Sequence, residues 1–283
     1  MSDLPKRVLG KTNLQVSILA VGGYHIGKDH DPDLGSRIIR TAIDNGINFL
    51  DNAWCYNSGV SERIMGIGLR DGYREKVVLM TKNHGRDAFT FRSHLEDSLR
   101  RLQTEWIDVL QFHEIISDGN PETIYSQGAL EEAIKAREEG KIRFIGFTGH
   151  RWPHLFKQML DGHFAWDTAQ LPANLLDHHY RSFTKDIIPL LKARNIGVIG
   201  MKSLGGDGHS MLSTGVSAED AISFSLSLPI DTLVSGMDTP ELVRQNIEIA
   251  TKSGNLTQER KDALIDQVAV FGKTGSFEKY KSA

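Results

Sequence analysis

Eight short apolar runs, each separated from the next by a stretch with helical periodicity, recur along the chain without a linker or a shift in composition. They read VSILAVGG, INFLD, VVLMTK, IDVLQFH, IRFIGFTG, WDTAQLP, IGVIGMK and IDTLVSG. Several are apolar at nearly every position, as parallel strands buried on both faces are. Such strands need helices outside them. Phe91, Leu95, Leu99 and Leu102 recur at spacings of four and three, with Thr90 placed to cap the helix. LEEAIKAREE at 130–139 is a second helix, stopped by Gly140. Further helices are expected over 34–45, 61–70, 152–161, 184–194, 217–227, 240–251 and 257–271. Eight such alternations favour an α/β fold closed on itself, a single (β/α)8 TIM barrel over residues 1–283, rather than an open doubly wound sheet. The segment RVLGKTNLQVS is expected to form a small N-terminal hairpin within 1–16, turning around Lys11–Asn13 and covering the bottom of the barrel. The polar tail, 273–283, either stays loose or folds over the site.

Charge narrows the partners. Thirty-three Lys and Arg nearly balance 36 Asp and Glu, so no large one-signed field points to nucleic acid or an anionic membrane surface. A small-molecule substrate is expected. No run of about 18 uncharged apolar residues occurs, and MSDLPKRVLGKT has no apolar leader, so a cytoplasmic protein is the expectation. Cys55 is the only cysteine, which excludes an intrachain disulfide and a cysteine-ligated iron–sulfur cluster within one chain. No metal site is expected, and oligomeric state is not legible.

In a barrel of this kind, chemistry belongs at the carboxyl ends of the strands. Asp51 ends the second run with Tyr56 in the loop beyond it, Lys82 ends the third and His113 the fourth. Each alone has a structural reading: a loop-tying acid, a packed ring, a solvated amine, a satisfied imidazole. Their joint position favours a proton-donating site. A free phenol has a pKa near 10, and an ammionium beside it favours the phenolate, so Lys82 is expected to lower Tyr56 toward neutrality. Asp51 would hold Lys82 charged, and His113 would hydrogen-bond an incoming carbonyl oxygen. No side chain is placed as the nucleophile, so a hydride from a cofactor would complete the reaction.

Four segments, DNAWCYNSGVSERIMG, HLEDSLRRLQTEWIDVLQFH, GKIRFIGFTGH and LVSGMDTPELVRQN, resemble the aldo-keto reductases, and the resemblance extends over nearly the whole chain. It implies an NAD(P)H-dependent reductase of aldehydes or ketones, possible sugar derivatives among them, with Asp51, Tyr56, Lys82 and His113 as the catalytic tetrad. The alternatives are a cofactor-binding regulatory subunit of low turnover and a Schiff-base lyase using Lys82.

The same resemblance assigns cofactor contacts. Thr148 stands for the family's serine, but Gly149 stands where an asparagine amide would hold the nicotinamide carboxamide, and His150 is the compensating candidate. Gln170 matches the carboxamide-binding glutamine. Met201 replaces the usual stacking aromatic, its thioether being suited to a ring face. Lys202, Leu204 and Gly206 follow it, in a glycine-rich loop that lets backbone N–H groups approach a diphosphate. After the eighth run, Ser235 and Gly236 precede the helix opening Thr239-Pro240, which attracts phosphate, and Asn246 matches an adenine-binding asparagine. The Lys, Ser and Arg that commonly grip a 2′-phosphate are Gly236, Met237 and Leu242 here. Arg244 is the only cation nearby in sequence and Asp238 opposes a phosphate, both of which weaken a 2′-phosphate grip; NADP is the expected cofactor from the family pattern, with NAD as the alternative.

Overall fold

The computed structural model describes residues 4–282, so residues 1–3 of the expected hairpin segment and residue 283 of the tail lie outside the described residues. Strands β1 (Lys6–Val8) and β2 (Gln15–Ser17) pair antiparallel, Arg7 opposite Val16. The eight runs form β3 (Leu19–Gly22), β4 (Phe49–Asp51), β5 (Val78–Asn83), β6 (Ile107–Phe112), β7 (Ile142–Thr148), β8 (Thr168–Pro172), β9 (Gly197–Met201) and β10 (Thr232–Ser235). They close into a parallel barrel in chain order, with β10 returning to β3 so that Leu233 lies opposite Leu19.

Alternation explains the continuous apolar runs. Ala20, Phe49, Val78, Met80, Val109, Ile199 and Val234 point inward and pack together. Their neighbours Leu19, Val21, Leu50, Leu79, Leu110, Val198 and Leu233 pack with helix residues such as Ile38, Ile39, Leu95 and Leu99. Neither face meets water, so both are apolar.

The hairpin stoppers the bottom of the barrel. Leu9 and Val16 are fully buried in the inward-facing cluster. Arg7 donates to Ile230 O at 2.5 Å and Leu226 O at 3.0 Å, and Lys11 reaches Ala165 O at 3.0 Å. Asn13 ends the turn in the left-handed region at φ 61°, a conformation its short polar side chain tolerates.

Two helix expectations need correction. Asp87, not Thr90, caps the helix Ala88–Leu102, its carboxylate accepting from Thr90 N at 2.9 Å and from the Thr90 hydroxyl at 2.7 Å. An acid outranks Thr as a cap because its oxygen carries charge to the positive end of the helix. The expected helix over 184–194 is two, Phe183–Asp186 and Ile188–Ala193. Pro189 has no N–H for the carbonyl four residues back, and its ring crowds that turn. A helix Gly119–Ser126, weakly amphipathic and unmarked in the sequence reading, fills the loop after β6.

The tail folds over the top. Beyond the helix Gln258–Gly272, a short helix Lys279–Ser282 brings Lys281 into full burial. Its ammonium meets Asp177 Oδ1 at 2.7 Å, Glu278 Oε2 at 3.0 Å and Tyr180 O at 2.7 Å. No helix among the described residues is long and apolar enough to cross a membrane.

Candidate active site

Three adjacent strand ends build the centre. Lys82, one per cent exposed, donates to the Asp51 carboxylate and to Asn52 O at 2.8 Å, and its Nζ lies 3.4 Å from the Tyr56 hydroxyl. Asp51 accepts a further hydrogen bond from Gln170 Nε2 at 3.2 Å. His113 joins through the Tyr56 ring, edge to face at 5.6 Å. The four side chains singled out in the sequence therefore do converge.

The loop carrying Tyr56 is unusual backbone. Asn57, Ser58 and Gly59 all take positive φ, at 49°, 54° and 83°, and outside contacts hold that shape. Asn57 Nδ2 donates to Tyr24 O at 2.8 Å, and Ser61 Oγ to Gly23 O at 2.5 Å. Glu62, fully buried on the following helix Val60–Gly68, accepts from Thr81 Oγ1 at 2.7 Å and pairs with Arg101, which also donates to Trp54 O at 2.9 Å. The Ser-Glu of the motif thus anchors the loop to β5 and to the helix Ala88–Leu102.

Electrostatics correct one expectation. Burial, the largest single influence, pushes the Lys82 ammonium down, but Asp51 and Tyr56 together outweigh it and hold it above its ordinary value. The Tyr56 phenol is nevertheless pushed up to about 12, because burial raises it more than Lys82 lowers it. Tyr56 stays a protonated donor across the neutral range. His113 is held well below the ordinary imidazole value by burial and then by Lys82, and is neutral.

Around this centre the expected cofactor residues fall into three groups. The first lies at the ends of β7, β8 and β9. Thr148 is buried, and its carbonyl accepts from Ile115 N at 2.8 Å. Gly149 runs so close to the Ile115 carbonyl and the Phe156 ring that a Cβ would overlap them, which is why no amide side chain stands there. Gln170 is buried with its Oε1 unpaired, so only its N–H is occupied by Asp51. Met201 is half-buried against the inward cluster.

The second group gathers around a residue of the tail. The His150 ring meets Tyr280 edge to face at 5.8 Å, Lys202 Nζ lies 4.9 Å from the Tyr280 ring centre, and a Cβ on Gly206 would stand 3.0 Å from the ring's Cδ1. Tyr280 itself accepts from Asn174 Nδ2 at 3.0 Å. Lys202 takes φ 63°, and Leu204 packs partly buried beneath the loop. Burial holds His150 down to about 3, so it is neutral too.

The third group is at β10. Asn246 is buried and donates to Ser235 Oγ at 3.2 Å, while His25 lies over Gly236 and pairs with Asp238 at 2.5 Å. Arg244 stands apart on an exposed helix face, 3.5 Å from Glu241. It is not the only cation there: its groove between the helices Pro32–Asp44 and Pro240–Lys252 is also lined by Arg37 and Arg40. Those arginines come from a distant stretch of chain, which sequence neighbourhood could not reveal.

Of the aromatic side chains on the loops around this centre, Tyr24 is half exposed and touches Tyr56 edge to face at 5.5 Å. Trp54 is committed to packing, stacked on His94 at 3.6 Å. Trp152 lies under the Arg181 guanidinium at 3.5 Å.

Two residues at the site were not assigned to it from the sequence. His84 Nε2 lies 2.7 Å from His113 Nδ1, and Cys55 Sγ lies 3.6 Å from that same nitrogen. The His84, His113 and Cys55 heteroatoms sit within 4.8 Å of one another, a convergence that hydrogen bonding already satisfies. Arg86 donates to His84 O at 3.3 Å, to Glu114 O at 3.2 Å and to His113 O. The signal for His84 was its spacing: two residues beyond Lys82, it continues the same strand face.

The sequence profile described as the Aldo/keto reductase family matches residues 18–220. An uncharacterized oxidoreductase of Bacillus subtilis (strain 168) is 32% identical over 222 residues, 70% of this chain and 66% of the relative. The L-galactose dehydrogenase of Arabidopsis thaliana is 31% identical over 223 residues, 72% and 66% respectively. The chain thus spans just under two thirds of the length of these relatives. Among solved structures, an aldo-keto reductase from Bacillus halodurans in its holo form shares the fold with a TM-score of 0.75 at 23% identity, covering 93% of this chain and 96% of that one. The glycerol dehydrogenase of Gluconobacter oxydans has a TM-score of 0.75 at 25% identity, covering 97% and 98%.

Proposed function

Because this chain belongs to the aldo/keto reductase family, whose members use a nicotinamide cofactor, we propose that it reduces aldehydes or ketones to alcohols, or runs the reverse, with Tyr56 as the proton-transferring group. The observation that carries the reading is the Tyr56 hydroxyl 3.4 Å from an ammonium that Asp51 holds in place. The nicotinamide, when bound, supplies or accepts the hydride. Tyr56 gives its proton to the carbonyl oxygen as charge develops there, and Lys82 stabilises the phenolate left behind. His113 directs the oxygen toward the phenol. Asp51 keeps Lys82 charged, which also disfavours a Schiff-base role, since that needs a neutral amine.

The residues fit the cofactor. Gln170 Oε1, buried and unpaired, is an acceptor suited to an amide N–H, and Thr148 stands beside it on the neighbouring strand. Lys202, Leu204 and Gly206 are proposed to hold the diphosphate, with His150 and Met201 nearer the nicotinamide. Ser235, Gly236, Arg244 and Asn246 are proposed for the adenosine end, and NADP is favoured over NAD by the arginine-lined groove. The names of two relatives, L-galactose dehydrogenase and glycerol dehydrogenase, support a polyhydroxylated substrate. The cytoplasm is the proposed location, in keeping with the reading of the sequence.

The test is loss of reduced-nicotinamide absorbance with a panel of aldehydes, ketones and sugars. Tyr56→Phe should leave cofactor binding nearly intact and cut turnover by roughly 100- to 10,000-fold, the range for losing a general acid. Near-normal turnover in that variant would remove Tyr56 from the mechanism.

A further inference from the structure

His113 can donate to a substrate oxygen only from a protonated nitrogen on its site-facing edge, so the location of its single proton matters. Two neutral imidazoles bonded at 2.7 Å must divide the roles, one nitrogen donating and the other accepting. We infer that His84 is a positioning residue whose Nε2–H donates to His113 Nδ1, locking His113 in the tautomer that carries its proton on Nε2 and leaves that N–H for the substrate oxygen. This rests on the reading of His113 as the group that directs the carbonyl.

Three observations set the direction of the bond. His84 Nε2 lies 3.9 Å from Glu114 Oε2, a carboxylate that favours a proton on that nitrogen. Cys55 Sγ lies 3.6 Å from the same His113 Nδ1, and burial pushes its thiol up to about 11, so it too is a donor toward Nδ1. Two donors converging on Nδ1 require it to be bare. His113 Nε2, by contrast, has no hydrogen-bond partner among the described residues, and the ring lies 5.6 Å from that of Tyr56 in a T-shaped contact. Were the bond reversed, the proton would sit on Nδ1 and Nε2 would present a lone pair to a carbonyl lone pair. Both rings are neutral: burial, with Arg86 and Lys82 behind it, holds His84 down to about 4. Arg86, donating to the carbonyls of His84, His113 and Glu114, fixes the two backbones whose rings must meet.

The test is long-range proton–nitrogen NMR on protein labelled with 15N-histidine, with the His113 signals assigned by a His113 variant. The wild type should show His113 Nδ1 as an unprotonated ring nitrogen and Nε2 as protonated. In His84→Leu the His113 signals should move toward a tautomer mixture. Its kcat should fall by roughly tenfold, the scale of one hydrogen bond, with cofactor affinity unchanged. His84→Gln, whose amide N–H can replace the donor, should restore most of both. A wild-type His113 protonated on Nδ1, or a His84→Leu protein with unaltered His113 signals and kcat, would overturn the inference. If the Leu variant fails to fold, the wild-type spectrum still decides. A wild type that turns over no carbonyl would sink the functional reading alone, because the tautomer is read without turnover.

Discussion

Arg244 faces solvent with its guanidinium 3.5 Å from Glu241, so its contribution to gripping a 2′-phosphate is that of an exposed ion pair. Arg244→Ala should weaken NADPH by about 1 kcal/mol, roughly fivefold, and leave NADH unchanged; quenching of intrinsic fluorescence by each cofactor would measure both. Equal losses would mean that the side chain only supports its helix, and a larger loss in Arg37→Ala would move the site across the groove. Single residues were legible in the sequence where their meaning is local. Asp51, Tyr56, Lys82 and His113 could be read because each ends or follows a recognisable strand. Gly149 could not be explained from sequence, since the Ile115 carbonyl and Phe156 ring that exclude a side chain there come from other loops. Nor could the net direction of the Tyr56 pKa be read: the neighbouring charge is visible in sequence, whereas the burial that outweighs it is a property of the closed fold.

Among elements, the strands were legible because two buried faces leave an unbroken apolar run, and the helices because one buried face leaves a periodic one. The tail has neither pattern, and its order comes from charge. Lys281, Asp177 and Glu278 are all fully buried, and Asp177 also accepts from Phe183 N at 3.1 Å and Thr184 N at 2.8 Å. This cluster ties the tail to the segment after β8 and holds Tyr280 beside Lys202 and Gly206. Removing one member of a buried pair leaves the other charged and unsolvated, so Lys281→Met should cost about 3–5 kcal/mol, read as a lower midpoint in urea. An unchanged midpoint would show the tail to be held loosely. The same variant should alter the affinity for cofactor, because Tyr280 lines the proposed diphosphate loop.

For the whole molecule, the decisive contact is the one that turns a sheet into a ring: Leu233 of β10 on Leu19 of β3. It joins opposite ends of the sequence, whereas every other barrel contact joins neighbours in chain order. Loop-closure entropy for that last pairing is the largest of the set. Chains ended just before Thr232 should therefore be far more sensitive to protease than the full protein, and should associate through the bare edges of β3 and β9; limited proteolysis and light scattering would check this, and a stable monomeric fragment would refute it. On the ribosome the consequence is temporal. Seven strands emerge and can pair in order, but the first waits with one edge open until the eighth clears the exit tunnel, so the nascent barrel stays an unclosed sheet through the synthesis of all seven earlier strands.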